Sequence, residues 1–415
     1  MRVLIVGAGV GGLTLALMLK ARGLACTVYE QASDVREAGV GINALPHAIK
    51  ELAELGLLPK LDSIGIRTRE LFYLNRTGQT VWQEMRGTWA GFDVPQFSIH
   101  RGRLQRMLYE IALEQLGTNQ VRTGCRLQGF FQDEGGVTAH FSDTHEGARG
   151  FTDRADLLIG ADGIHSSVRA QFYPDQGSPS WQGVLMWRGA VDWPAFLDGQ
   201  SMIIAGGMAA KLVLYPIAAG STPAHRLTNW VVNARVGDPS KPPPRDAWSR
   251  AGRLEDALPY ARRFAVPGVD VLALIKATPA IFEYPMCDRD PLPRWTFGRV
   301  TMLGDAAHPM YPVGSNGAGQ AILDARCLAD SIARADHGRQ ALAMYEAERL
   351  PKTAEIVVMN RKGGPERVID AVEALAPAGF DNINAVLSHA DREAIVRGYA
   401  SKAGFAREQV NMKQV

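Results

Sequence analysis

A short apolar run, Val3-Leu4-Ile5-Val6, leads straight into Gly7-Ala8-Gly9-Val10-Gly11-Gly12, and the next apolar run, Leu24-Ala25-Cys26-Thr27-Val28-Tyr29, closes on an acid, Glu30. Strand, glycine-rich turn, helix and a second strand ending on a carboxylate make up the βαβ unit that binds a dinucleotide. Gly7 permits the sharp turn out of the strand, Gly9 lets the main chain approach a pyrophosphate, and Gly12 lets the helix pack close to the sheet, with Gly11 in the same turn. The helix beginning near Val10 aims its unpaired N–H groups and positive dipole end at the phosphates. A carboxylate at Glu30 accepts the hydroxyls of an adenosine ribose and repels a 2′-phosphate, which favours FAD or NAD over NADP at this site. The competing reading of this N-terminus is a secretory signal, since Arg2 precedes an apolar stretch. The interrupting glycines, Lys20 and Arg22, and the want of a small-residue cleavage site argue against it, so the expected localisation is cytoplasmic.

With 415 residues the chain suffices for two domains, or for one large α/β body with an inserted sheet. Forty-five Lys and Arg against 43 Asp and Glu leave a net charge of +2 with no basic block, so neither nucleic acid nor an anionic membrane is an expected partner. The apolar stretches fall short of the ~20 residues that a membrane span needs. Cys26, Cys125, Cys287 and Cys327 are scattered without a C-x-x-C pair and read as reduced small hydrophobes; no metal site is expected.

Helical spacing runs over residues 46–58, residues 67–84 read as a hairpin turning at Asn75-Arg76-Thr77-Gly78, and Leu104, Met107, Leu108 and Ile111 share one face of a helix over 101–116. Residues 155–161 read as a buried strand. From about 181 to 285 the texture changes to apolar/polar alternation, at 185–191, 201–205, 211–217 and 227–234, which predicts an antiparallel sheet covering something. Residues 239–244 read as a proline-rich loop, 299–303 as a last strand, and 319–333 and 340–360 as helices. The expected fold class is α/β: a Rossmann-type domain from 1–180 and 281–360, an antiparallel-sheet substrate domain over 181–280 that the hairpin at 67–95 joins, and C-terminal helices with a tail, 361–415, to which no chemistry is assigned.

Two further motifs complete a set of three: Asp156-Leu157-Leu158-Ile159-Gly160-Ala161-Asp162-Gly163, and Gly298-Arg299-Val300-Thr301-Met302-Leu303-Gly304-Asp305-Ala306-Ala307-His308-Pro309. In this order they resemble the group A flavoprotein aromatic hydroxylases, single-component FAD monooxygenases with the p-hydroxybenzoate hydroxylase fold, over residues 1–360. The resemblance implies a non-covalent FAD, with its ADP half on the first motif, its pyrophosphate region and the nicotinamide donor beside Asp162, and its ribityl chain on Asp305. It also implies that Arg101 reaches the flavin phosphates or ribityl, and that the main chain at Val40, Gly41 and Leu127 lines the cofactor. Pro312-Val313-Gly314-Ser315-Asn316-Gly317-Ala318-Gly319-Gln320 matches the loop beside the isoalloxazine, where the N–H groups of Gly314, Gly317 and Ala318 face the flavin; the family often carries Asn where Gly319 stands. Taken singly, Asp162 and Asp305 read equally as cap or turn residues.

Met186-Trp187-Arg188-Gly189, Glu283-Tyr284-Pro285-Met286, Asp288-Arg289-Asp290-Pro291-Leu292-Pro293 and Met310-Tyr311-Pro312 look most like the phenazine-modifying branch, typified by 5-methylphenazine-1-carboxylate monooxygenase. There is no second G-x-G-x-x-G after a strand, so NADH or NADPH is expected to bind transiently, reduce the flavin and leave. The resemblance then implies a C4a-hydroperoxide of the reduced flavin, formed with dioxygen, as the hydroxylating species for a small aromatic or heteroaromatic substrate. No catalytic side chain is assigned. Arg188 and Tyr215, on alternating strands, Asn43, in a loop after Gly41, and Pro312 are the substrate-contact candidates; a structural ion pair and a core tyrosine explain the first two equally well. His47, His165 and His308 read as packing or turn residues. The competing functions are a flavin oxidoreductase acting on a non-aromatic lipid and a non-catalytic flavin redox sensor.

Overall fold

The computed structural model describes residues 1–35, 39–144, 147, 149–238, 240–241 and 250–412; most of the expected proline-rich loop at 239–244 lies outside them. Strand Arg2–Val6 is central to a five-stranded parallel sheet in the order Val300–Met302, Leu157–Gly160, Arg2–Val6, Ala25–Tyr29, Val121–Arg122. Val3, Leu4 and Ile5 have no exposed surface, as expected of a parallel strand covered on both faces. Helix Val10–Ala21 packs on one face together with helices Gly317–Arg334 and Arg101–Leu116. The contact is close because Gly11 stands at it: a Cβ there would come within 2.7 Å of Leu303 and 3.1 Å of Ala321.

The alternating strands form an eight-stranded sheet in the order Arg250–Ala251, Ile281–Asp288, Ser180–Pro194, His225–Arg235, Ala210–Ala219, Ser201–Ala205, Glu70–Leu74, Thr80–Met85. All its pairings are antiparallel except that of Ser201–Ala205 with Glu70–Leu74, which carries the early hairpin into this sheet. Because side chains alternate along each strand, one face sends Trp187, Ile203, Leu212, Leu214, Trp230 and Val232 into a core covered by helices Leu254–Ala261 and Val271–Lys276. The opposite face turns Met186, Arg188, Lys211, Val213, Tyr215 and Val231 toward the parallel-sheet body across a cavity.

Two local expectations are corrected, and the segment left unassigned finds its place. The helical stretch at 46–58 is two helices, Pro46–Glu54 and Leu58–Ile64, because Gly56 takes a left-handed φ of +75° and Pro59 starts the second. Asn43 lies on a strand, Gly41–Ala44, paired with Phe97–His100, and not in a loop. The segment beyond 361 is built into the body: from helices Arg367–Leu375 and His389–Lys402, Val368, Ile369, Val372 and Val396 pack against Leu71, Tyr73, Val81, Met202 and Ile204 of the large sheet. No helix among the described residues is long and apolar enough to cross a membrane.

Candidate active site

The cavity between the two sheets measures about 360 Å³. On the parallel-sheet side its wall includes Gly9, Gly11, Arg101, Asp305, Pro312, Gly317 and Ala318, and on the large-sheet side Gly41, Asn43, Arg188 and Tyr215. The glycine turn has the geometry its sequence demands. Gly7 takes φ +109° and a Cβ on it would lie 2.4 Å from the Ala161 carbonyl oxygen, while a Cβ on Gly12 would lie 2.1 Å from that of Gly7. At Gly9 a Cβ would meet no protein atom within 4 Å, so the turn presents bare backbone to the cavity. Glu30, Gly7 and Gly12 stand behind this wall, with Glu30 accepting the N–H groups of Ala8 and Ala32 at 2.8 Å each.

Asp305 projects into the cavity with no hydrogen-bond partner among the described residues. It is open to the cavity but ringed by protein at longer range, and this desolvation raises its carboxyl above the ordinary range, while His308 and Arg101 oppose the rise. Arg101 starts its helix on the same wall, its N–H bonded to the Val40 carbonyl at 2.9 Å. Behind the turn at Gly304, Asp324 accepts the Gly304 N–H at 3.0 Å, His308 Nε2 at 2.5 Å and Arg349 Nε at 2.7 Å. Burial pushes Asp324 up, but His308 and Arg349 outweigh it and hold the carboxyl at about 2. His308 is thus a packing and positioning residue.

Asp162 is half explained as a turn residue. Its Oδ2 accepts the N–H groups of Ser167 at 2.7 Å and Val168 at 3.3 Å, whereas its buried Oδ1 has no partner among the described residues. Desolvation raises this carboxyl, against bonds from Ser166 and the backbone that lower it. A buried acceptor without a donor costs about 1–3 kcal/mol; Asp162 itself is not on the cavity wall, which its neighbours Ala161 and Gly163 form. Helix Gly317–Arg334 has no side-chain cap: Asn316 turns instead to Tyr399, donating to its hydroxyl at 2.7 Å, and leaves the first N–H groups of the helix facing the cavity. Unpartnered donors, an unpartnered carboxylate and a bare-backbone turn on one wall fit a phosphorylated, polyhydroxylated cofactor such as FAD.

The structure places Leu127 in the core of the main body and Gly314 against Tyr399, where a Cβ would come within 2.6 Å of the ring; neither is on the cavity wall. Where the family often has Asn, a Cβ on Gly319 would sit 2.8 Å from His47 Nε2. The His47 ring fills that space, with neither nitrogen bonded among the described residues, and burial beside Arg349 lowers it to about 3.

Across the cavity, Arg188, Tyr215 and Gly41 converge. A Cβ on Gly41 would meet Tyr215 at 2.6 Å; the Gly41 carbonyl accepts from Arg188 Nη2 at 2.6 Å and its N–H donates to Asn229 Oδ1 at 2.8 Å. Burial raises the Tyr215 phenol, against the adjacent Arg188 guanidinium, and Arg188 Nε is buried without a partner among the described residues. Asn43 Oδ1 accepts from Ser98 Oγ at 2.6 Å, which ties this strand pair together. The wall also holds residues that were not among the sequence candidates: Met186, Met202, Ile204, Asn233 and a buried ion pair between Lys211 and Glu366. Lys211 carried a signal: in Lys211-Leu212-Val213-Leu214-Tyr215 it shares the face of Tyr215. Glu366, in the unassigned tail, carried none.

Residues 1–247 and 287–360 match the family model described as FAD binding domain. The chain belongs to that family. It is 46% identical over 363 residues to phenazine 1,6-dicarboxylic acid hydroxylase PhzS of Lysobacter antibioticus, covering 86% of this chain and 89% of that protein. It is 31% identical to 3-hydroxybenzoate 6-hydroxylase 1 of Aquipseudomonas alcaligenes, covering 86% and 87%. Among solved structures, Klebsiella pneumoniae HpxO complexed with FAD and uric acid aligns with a TM-score of 0.76 at 25% identity, covering 97% of this chain and 96% of that one. The α/β fold class, the FAD cofactor and the flavin-dependent hydroxylase class expected from the three motifs are borne out.

Proposed function

We propose that this family member uses a nicotinamide reductant, NADH by preference, and dioxygen to hydroxylate a fused heteroaromatic acid of the phenazine type. The observation that carries the reading is the cavity between the sheets, with a cofactor-like wall of unpartnered donors and acceptors and a facing wall of apolar side chains closed by Arg188 and Tyr215. The identity with a phenazine dicarboxylic acid hydroxylase supports the substrate class.

In this reading Gly7, Gly9, Gly11, Gly12 and Glu30 hold the ADP half of FAD, the Arg101 guanidinium serves its phosphate region, Asp162 fixes the turn beside that region by accepting the Ser167 and Val168 N–H groups, and Asp305 takes ribityl hydroxyls. The N–H groups of Gly317 and Ala318 stabilise charge on the ring system. Val40 orients Arg101 through its carbonyl, and Leu127 and Gly314 contribute as packing. When bound, FAD supplies the redox chemistry by which dioxygen is activated. The remaining work belongs to the chain: Arg188 and Tyr215 orient the substrate, Asn43 and Pro312 close the space between substrate and cofactor, and Met186, Val213 and Val231 exclude water. One NADH, one proton and one dioxygen are consumed for each hydroxyl installed, with NAD⁺ and water as the other products. A cytoplasmic enzyme would meet its reductant directly.

The test is steady-state NADH oxidation by the FAD-loaded protein with and without added ring compounds. A phenazine carboxylate should accelerate NADH oxidation at least tenfold over the substrate-free rate. No acceleration by phenazine acids, with acceleration by benzoates instead, would overturn the substrate class.

A further inference from the structure

The large sheet presents two cationic stations on its cavity face, and the proposed function uses one. Arg188 and Tyr215 mark the first; Lys211 lies on the same strand face as Tyr215, four residues away, so the stations are roughly 13 Å apart at ~3.3 Å per residue. Between them the wall is apolar, formed by Met186, Val213 and Val231, with Met202 and Ile204 beside Lys211. Lys211 is 5% exposed, and its ammonium has no partner among the described residues besides the Glu366 carboxylate, which leaves N–H donors unused. Its cross-strand neighbour Asn233, 7% exposed, has an amide oxygen buried without a partner. Turned over, that amide would offer its NH₂ beside the ammonium. With the amide in that orientation, the spare N–H donors of Lys211 and the Asn233 NH₂ stand side by side on the cavity wall and call for an acceptor.

Resting on the reading of the substrate as a phenazine-type acid, we propose that Lys211 and Asn233 form a second carboxylate subsite, which selects a fused-ring dicarboxylate with acids at opposite ends over the corresponding monoacid. Glu366 occupies the lysine when the substrate is absent. It also borders a small adjoining cavity of about 50 Å³ with Arg86 and Tyr73, where Arg86 Nε is buried without a partner among the described residues. Arg86 is already paired with Glu84 through Nη1 at 2.7 Å, so what it offers the Glu366 carboxylate, when a substrate carboxylate takes its place on Lys211, is the spare Nε–H. The anion is chosen over a neutral acceptor because a compact ammonium in an apolar wall favours a full charge.

The experiment is a binding titration of the FAD-loaded protein, read by the flavin absorbance change, with phenazine-1-carboxylate and phenazine-1,6-dicarboxylate. The quantity read is the ratio of their dissociation constants, monoacid over diacid. The wild type should favour the diacid. Lys211→Met is at risk of misfolding with Glu366 left buried and unpaired, so the double variant Lys211→Met/Glu366→Gln accompanies it and should lower the ratio at least tenfold. Glu366→Gln alone removes the competing charge and should hold or raise the ratio. A wild-type ratio kept within twofold by the double variant, or a ratio lowered by Glu366→Gln alone, overturns the subsite while leaving the proposed function standing. Failure of both acids to bind the wild type overturns the proposed function, and the subsite with it.

Discussion

Asp305 shows how a single residue separates a structural role from a ligand role. In the protein alone its carboxylate is open to the cavity and has no partner among the described residues, so it contributes nothing to the fold that a neutral isostere would lose. Asp305→Asn should weaken FAD retention by roughly 10- to 100-fold, the equivalent of a lost charge-assisted bond of about 1.5–3 kcal/mol, with no fall in the melting temperature of the cofactor-free protein. Equilibrium dialysis against FAD and a thermal melt check the two halves. Arg188→Ala or Tyr215→Phe should leave FAD bound but uncouple the reaction: NADH is still consumed while hydrogen peroxide replaces hydroxylated product, with a misplaced ring costing up to roughly 10²-fold in product rate. Peroxide and product assays side by side check this.

His47 makes a pH prediction. Its folded-state value of about 3 lies below the ordinary 6.5, so the unfolded chain binds one proton more than the folded chain between those values. Stability from this group is therefore complete above about 6.5 and lost as pH falls toward 3, by up to ~1.4 kcal/mol per pH unit. His47→Leu should flatten the urea-midpoint profile between pH 6 and pH 4, roughly, the window these values bracket. Arg188 and Tyr215 stood out in the sequence as polar positions on alternating strands, and the pairing of both strands with His225–Arg235 puts them on one face. Glu366 did not stand out, because only long-range packing brings it to Lys211.

At the scale of elements, boundaries came out best where local chemistry sets them. Helix Arg101–Leu116 runs as its apolar spacing predicts, with His100 accepting the Arg103 N–H at its start and Gly117 ending it. The parallel pairing of Ser201–Ala205 with Glu70–Leu74 joins segments distant in the chain and no local pattern carries it. Two substitutions probe how elements hold the cavity. Gly12→Ala would drive a methyl into the Gly7 carbonyl and should cost at least about 1–3 kcal/mol by overpacking, together with FAD binding, because the helix must leave the strand. Tyr399→Phe removes the hydroxyl that accepts from Asn316 and donates to Asn360 Oδ1 at 2.7 Å. The loss should be about 1–3 kcal/mol for each group left unpaired, read as a lower denaturant midpoint in the FAD-free protein.

For the molecule as a whole, the cavity exists only because two walls and a closing end, drawn from separated parts of the chain, meet. The glycine turn and the Asp305 motif form one wall, the alternating strands the other, and Glu366 of the C-terminal segment closes the far end. The first two were announced by motif and periodicity; the third depends on the apolar faces of helices Arg367–Leu375 and His389–Lys402 finding the large sheet. Binding at such a junction should stabilise the folded chain by mass action, about 2.7 kcal/mol at a free FAD concentration of ~100 Kd. The most direct measurement of the central claim is the fate of labelled dioxygen in a reaction of the FAD-loaded protein with NADH and a phenazine carboxylate. A flavin monooxygenase places one atom of the label in the product hydroxyl; NADH oxidation that yields only labelled hydrogen peroxide, or a hydroxyl whose oxygen comes from water, would contradict the proposed function.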